Sequence, residues 1–222
     1  MTTGATHPDG PAAATPAVAP ATSATVPGTA SGGTGRPSSR WVGMADPLMA
    51  PVLAELTDTY LSLYGPGARL EMTRHPAEAF SPPGGGVLVL VEDGVAVAAG
   101  ALRARGPALR GEPGPGTGPG AGAGTADGGG TAGGAGTAAS DPVAEVKRMW
   151  TAPAHRRRGL ARRVLAELED AARAAGYTAV YVSTGWRQTE AVALYLRAGY
   201  RPLFDPDGDP AVPFERGFLR DL

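Results

Sequence analysis

Residues 143–175 read VAEVKRMWTAPAHRRRGLARRVLAELEDAARAA, and the first nine, Val143–Thr151, have the apolar and β-branched content of a strand. The run from Leu160 to Ala175 follows a different period. Leu160, Val164, Leu165, Leu168, Ala172 and Ala175 fall on one stripe of an amphipathic helix, and Gly176 supplies its stop. Between the two lies a turn that starts the helix against the usual rules. A helix N-terminus is a partial positive pole and normally carries a Ser, Thr, Asp or Asn cap with acidic residues in the first turn. Here Arg156, Arg157 and Arg158 precede the turn and Arg162 and Arg163 lie within it, each unfavourable by roughly 0.3–1 kcal/mol toward the macrodipole. A bound anion removes the conflict, because phosphate oxygens accept the uncapped N–H groups and pair with the arginines, while Gly159 and Ala161 let the backbone come close. On spacing alone a solvated basic face or a nucleic-acid patch explains the arginines equally well.

Outward from this stretch, the sequence predicts further elements. Ala179–Ser183 reads as a strand and Thr189–Arg197 as a helix, with late strands at Tyr200–Phe204 and Phe214–Leu219. Upstream, Asp46 as N-cap with Pro47 at the first helical position opens a helix that Gly65-Pro66-Gly67 ends. A short helix is expected at Pro76–Phe80. Val87–Val91 and Val95–Leu102 form a hairpin across Glu92-Asp93-Gly94. Helices, then a hairpin, then strand-helix-strand-helix give a mixed α/β sheet.

The chain has 222 residues, of which Gly (34) and Pro (22) are about a quarter, near the level associated with disorder. The excess is local. Ala, Gly, Pro, Ser and Thr fill 33 of residues 1–40 and 32 of the 37 residues 106–142. We read the first as a flexible tail and the second as a solvated insertion between strands, leaving one domain over 41–222. Its GGG at 128–130 lacks the Lys-Ser/Thr and helix of a phosphate-binding loop.

No cysteine is present, which excludes a disulfide framework, a thiolate zinc site and a cysteine nucleophile. Three scattered histidines do not make a metal site, and Asp205-Pro-Asp207-Gly-Asp209 departs from a calcium loop in its glycine position and in carrying Arg216 where a glutamate belongs. No metal is expected. The N-terminus lacks a basic start and an apolar run, and no run approaches the ~20 residues that span a bilayer, so a cytoplasmic protein without membrane contact is expected. Net charge is −1, which argues against general nucleic-acid affinity, yet residues 143–203 hold eleven Lys/Arg against five Asp/Glu. A local anion site is the consequence.

Residues 145–161 resemble the central motif of the GNAT acyltransferase superfamily, whose strand is followed by an Arg/Gln-x-x-Gly-x-Gly/Ala turn and a helix. Arg156, Gly159 and Ala161 match the turn. Downstream, Thr184 to Tyr200, with Gln188, Ala191, Tyr195 and Gly199, resembles the family's second pattern at the expected separation. The resemblance covers roughly residues 41–105 and 143–222. It implies a mixed sheet whose fourth and fifth strands run parallel and splay apart, with acetyl-CoA as co-substrate in the cleft. Backbone near Met149, Trp150 and Thr151 would pair with the pantetheine amides, and the N–H groups of Arg157, Arg158, Gly159, Leu160, Ala161 and Arg162, beside Arg156, would hold the pyrophosphate. Gln188 stands where the family usually has Asn. Glu145 occupies the position of a general base in a number of relatives and is otherwise an exposed strand glutamate. Tyr195 occupies the general-acid position and is otherwise a core tyrosine. Trp150 and Trp186 pack or line the acceptor entrance.

The implied activity is N-acetylation of a small-molecule or protein amine, with a homodimer left open. The competing readings are a non-catalytic acyl-CoA-binding module of the same fold and a basic-helix nucleic-acid binder, which net charge and the lack of a reading motif disfavour. The acidic loop at 205–209 points to a cationic acceptor.

Overall fold

The computed structural model describes residues 35–105, 142–209 and 215–222. Seven strands form one mixed sheet: β1 (Ser38–Val42), β2 (Gly86–Glu92), β3 (Val95–Ala104), β4 (Val143–Thr151), β5 (Ala179–Gly185), β6 (Arg201–Pro202) and β7 (Glu215–Asp221), in the order β1-β2-β3-β4-β5-β7-β6. Among the described residues only β4 and β5 run parallel. The described residues also form four α-helices: α1 (Met49–Tyr64), α2 (Arg69–Thr73), α3 (Leu160–Ala174) and α4 (Thr189–Arg197).

Alternation along the strands divides the core in two. On one face Leu88, Leu90, Val146 and Val182 meet Val164, Leu165, Leu168 and Ala172 of α3 and Tyr195 of α4. On the other, Val87, Val89, Ala99 and Trp150 meet Met49, Val52 and Leu56 of α1. Each fully buried Val or Leu contributes about 1.5–3 kcal/mol, so the stripe read from the sequence of α3 is what fastens that helix. Its approach is close: a Cβ at Gly100 would lie 2.7–2.8 Å from Met149, Leu168 and Val164 side chains.

β4 and α4 have the bounds the sequence predicts, and α3 ends one residue early, with Gly176 in the left-handed region at φ 84° just beyond it. The hairpin turn is formed by Asp93 (φ 51°) and Gly94 (φ 80°), both left-handed as a tight two-residue turn requires. Several expectations are corrected. Asp46 is not the cap of α1: its carboxylate accepts the Leu48 N–H at 2.9 Å and its carbonyl the Met49 N–H at 2.8 Å, so it closes a turn ahead of a helix that starts at Met49. Ser38–Arg40, inside the stretch read as a tail, belong to β1, paired with Val91, Leu90 and Val89. The segment at Pro76–Phe80 is a 3-10 turn over Ala77–Phe80, and α2 was not anticipated. The strand expected at Tyr200–Phe204 shrinks to Arg201–Pro202, and β7 runs over Glu215–Asp221, with Phe214 outside the described residues. Residues 1–34 and 106–141 also lie outside them.

Candidate active site

The site begins as a failure of pairing. β4 and β5 are joined only from Val143↔Ala179 to Val146↔Val182, after which β5 continues along β7 and β4 along β3. A bulge turns β4 at this point: Ala99 faces Trp150 and Ala101 faces Lys147, so Arg148 and Met149 stand against Gly100 alone. Arg148 takes φ 58°, costly for a non-glycine residue. Its guanidinium holds the distortion by donating to the carbonyl oxygens of Met72 (2.7 Å) and Glu71 (3.4 Å). The residues past Val146 therefore present a strand edge to a cleft of about 1790 Å³, larger than the ~300–1,000 Å³ usual for one small ligand.

At one end of the cleft is the arginine turn. Arg156 is extended, Arg157 (φ 61°) and Gly159 (φ 76°) are left-handed, and α3 begins with no side-chain cap and no acidic residue. Such alternation gathers successive N–H groups into an anion-binding concavity. The arginines then sort by partner. Arg158 is committed to Glu92 and Arg163 to Glu167, Ser39 and the Pro37 carbonyl. Arg156 lies 3.5 Å from Glu55 and donates to the Thr151 carbonyl at 3.3 Å. Arg157 and Arg162 line the cleft and make no ion pair among the described residues. Leu160 is a core side chain, so only its N–H can serve a ligand. Trp150 likewise packs under α1.

On the β5 side, the Thr184 hydroxyl donates to Oε1 of Gln188, and the Gln188 amide meets the Tyr60 hydroxyl from α1. Tyr195 also lines the cleft, its ring 5.4 Å from Phe218 and 5.9 Å from Tyr200. Burial, with a smaller contribution from Tyr60, pushes its pKa well above the usual tyrosine value, so its proton is retained throughout the neutral range.

A model of the acetyltransferase (GNAT) family matches residues 51–200. The chain belongs to the GNAT acetyltransferase family. A relative from Azospirillum brasilense, an IAA acetyltransferase, is 44% identical over 73 residues, 32% of this chain and 48% of the relative, so the chain matches about half that protein's length. Solved structures share the fold. A Klebsiella pneumoniae chain assigned to the acyl-CoA N-acyltransferases aligns with TM-score 0.52 at 20% identity, covering 84% of this chain and 97% of that one. A GNAT-family acetyltransferase from Staphylococcus aureus gives 0.51 at 11%, covering 83% and 99%. The GNAT domain of PAT from S. lividans gives 0.50 at 17%, covering 83% and 89%.

Within this GNAT cleft the structure brings together most of the residues singled out in the sequence: Met149, Trp150, Thr151, Arg156, Arg157, Gly159, Leu160, Ala161, Arg162, Gln188 and Tyr195 all line it. Arg158 and Glu145 do not. Glu145 is not the exposed strand residue of the alternative reading either: at 4% exposure it is ion-paired with Arg103 and lies 3.4 Å from Lys147 Nζ. The neighbouring cleft wall is Lys147, which sequence reasoning passed over. Its ammonium donates to Glu71 Oε1 and Ser183 Oγ, both at 3.1 Å, and lies 3.7 Å from Glu215 Oε1. Burial alone would lower its pKa, but Glu145, Glu71 and Glu215 outweigh that and the net direction is up, so Lys147 stays charged. Glu145 and Lys147, which alternate with Val143 on one face of β4, were the available signal.

No helix among the described residues is long and apolar enough to cross a membrane.

Proposed function

We propose that the chain is an acetyl-CoA-dependent N-acetyltransferase that moves the acetyl group to a primary amine of a small molecule or protein by direct attack in a ternary complex, in the cytoplasm. One observation carries the reading: an unpaired β4 edge runs between an uncapped, arginine-bearing helix start and a protonated Tyr195, within a single cleft. The fit of this chain to acetyl-CoA rests on its own geometry. Gly159 leaves open space where a Cβ would project, and Arg157 and Arg162 beside it make no ion pair among the described residues. That donor set suits a pyrophosphate, while the backbone near Met149 and Thr151 suits an extended chain bearing amides.

Bound acetyl-CoA would supply an acetyl group activated as a thioester. The chain's residues do the rest. The amine attacks in its neutral form, after its ammonium has lost one proton to solvent. The N–H at the bulge by Met149 polarises the carbonyl, and the Tyr195 hydroxyl gives its proton to the departing sulfur. The second proton, lost by the acylated nitrogen, returns Tyr195 to its neutral form through water. Gln188, fixed by Thr184 and Tyr60, holds the β5 wall of the cleft. Glu145 acts at a distance, by holding Lys147 charged and in place.

The test is a panel of amines, peptides and aminoglycoside-type antibiotics incubated with acetyl-CoA, reading free thiol. Amine-dependent thiol release supports the enzyme. Acetyl-CoA binding without release across the panel would favour the non-catalytic module.

A further inference from the structure

On the cleft wall away from the arginine turn, four side chains form a closed ring of alternating charge. Glu71 of α2 and Glu215 of β7 stand on separate elements, their side chains 25% and 31% exposed. Lys147 Nζ reaches Glu71 Oε1 at 3.1 Å and Glu215 Oε1 at 3.7 Å. Arg74 Nη1 reaches the other oxygen of each, Glu71 Oε2 at 3.4 Å and Glu215 Oε2 at 3.9 Å.

The two cations are not equivalent. Lys147 is almost wholly buried and is also held by Ser183 and Glu145, so it is a fixture. Arg74 is half-exposed, and its two contacts are long, the kind of ion pair that adds little to stability and exchanges readily. Arg148, a further cation nearby, is turned to the backbone carbonyls of Glu71 and Met72 and does not enter the ring. All four ring members line the cleft, together with Tyr60, Leu63, Tyr64 and the strongly exposed Leu70.

We infer that the outer position of this ring is the acceptor's amine site: an alkylammonium exchanges with the Arg74 guanidinium between Glu71 and Glu215 while Lys147 stays in place. The adjoining leucines and tyrosines then select a primary amine with an apolar or aromatic body over a neutral or acidic acceptor. This deepens the N-acetyltransferase reading and rests on it, but amine binding can be measured without turnover.

The experiment is calorimetric titration of the full chain near neutral pH with 2-phenylethylamine, charged there, and with its neutral isostere 2-phenylethanol. The amine should bind saturably and the alcohol about tenfold more weakly or worse, as loss of a charge-assisted contact implies. Glu71→Gln and Glu215→Gln should each weaken the amine by about tenfold. Arg74→Ala should tighten it by about two- to fivefold, the scale of an exposed pair removed as competitor. Melting and acetyl-CoA titration of each variant check folding and the cofactor half of the cleft. Equal binding of amine and alcohol, unchanged amine affinity in folded glutamine variants, or weaker binding in Arg74→Ala would overturn the assignment. Should the glutamine variants not fold, Arg74→Ala, altered at an exposed side chain, decides alone. Loss of the N-acetyltransferase reading shows separately, as absence of amine-dependent thiol release by wild-type protein with acetyl-CoA.

Discussion

Arg158 and Glu92 face each other through two contacts, Nη1 to Oε2 and Nη2 to Oε1, both 2.9 Å. This fork ties the arginine turn to the far end of the β2–β3 hairpin, and His155 Nε2 joins it 3.1 Å from the same carboxylate. Arg158 is thereby a brace, although it stands in the middle of a run of three arginines. Arg158→Ala is expected to leave acetyl-CoA affinity within about twofold, whereas Arg157→Ala and Arg162→Ala should each lower it by about tenfold, the scale of a charge-assisted hydrogen bond. Calorimetry on the three variants checks this, and a larger loss in Arg158→Ala than in the other two would reverse the sorting.

Gly159 stands at φ 76° as the residue before α3, with nothing within 4 Å of a Cβ built there. A Cβ there meets no atom, and a side chain carries a backbone cost of about 1–2 kcal/mol for a left-handed residue. Gly159→Tyr should therefore melt only a few degrees below wild type while losing acetyl-CoA binding, as the ring fills the space over the N–H groups. A folded variant with unchanged affinity would remove the anion site from this turn.

Tyr195→Phe keeps the ring against Phe218 and Tyr200 and deletes only the hydroxyl. Turnover should fall by a factor within the general-acid range of about 10²–10⁴, with acetyl-CoA affinity unchanged. The raised pKa also sets a sign for stability. Above pH 10.0, the ordinary tyrosine value, the unfolded chain gives up this proton while the folded chain keeps it, so folding weakens as pH rises through that range. Thermal melts at increasing alkaline pH should show a shallower decline for Tyr195→Phe than for wild type.

Glu145→Gln separates a base from a brace. Removing one partner of a buried ion pair leaves the others uncompensated and costs about 3–5 kcal/mol. Because Glu145 sits behind Lys147, the expected outcome is a marked drop in melting temperature with the shape of the pH–rate profile retained. Loss of turnover confined to the acidic limb, at wild-type stability, would restore Glu145 as the base.

The parts of this molecule legible in sequence are those where one periodicity runs long enough. α3 shows five buried apolar positions at helical spacing, and β4 and β5 are short runs with β-branched and aromatic residues between turn signals. β1 was hidden because Ser38, Ser39 and Arg40 form a polar edge whose ladder partner, β2, lies about fifty residues on. The five residues of α2 are too few to display a period. The arginine turn was visible as an electrostatic conflict, but which arginines were free depended on Glu92, Ser39 and Glu55, three positions far upstream. Lys147 and its carboxylates come from α2, β4 and β7, so no local pattern could assemble them.

The seam from Val143 to Val146 is the only ladder joining β1–β4 to β5, β7 and β6 among the described residues, and at about 3.3 Å per residue it is short. Past it the two halves of the sheet are held by side chains and helices in place of a ladder: α3 packs beneath, Lys147 of β4 reaches Ser183 of β5 and Glu215 of β7, and Tyr60 of α1 meets Gln188. A ligand that hydrogen-bonds along the open edge of β4 would take the place of missing strand, completing the sheet where its own ladder stops.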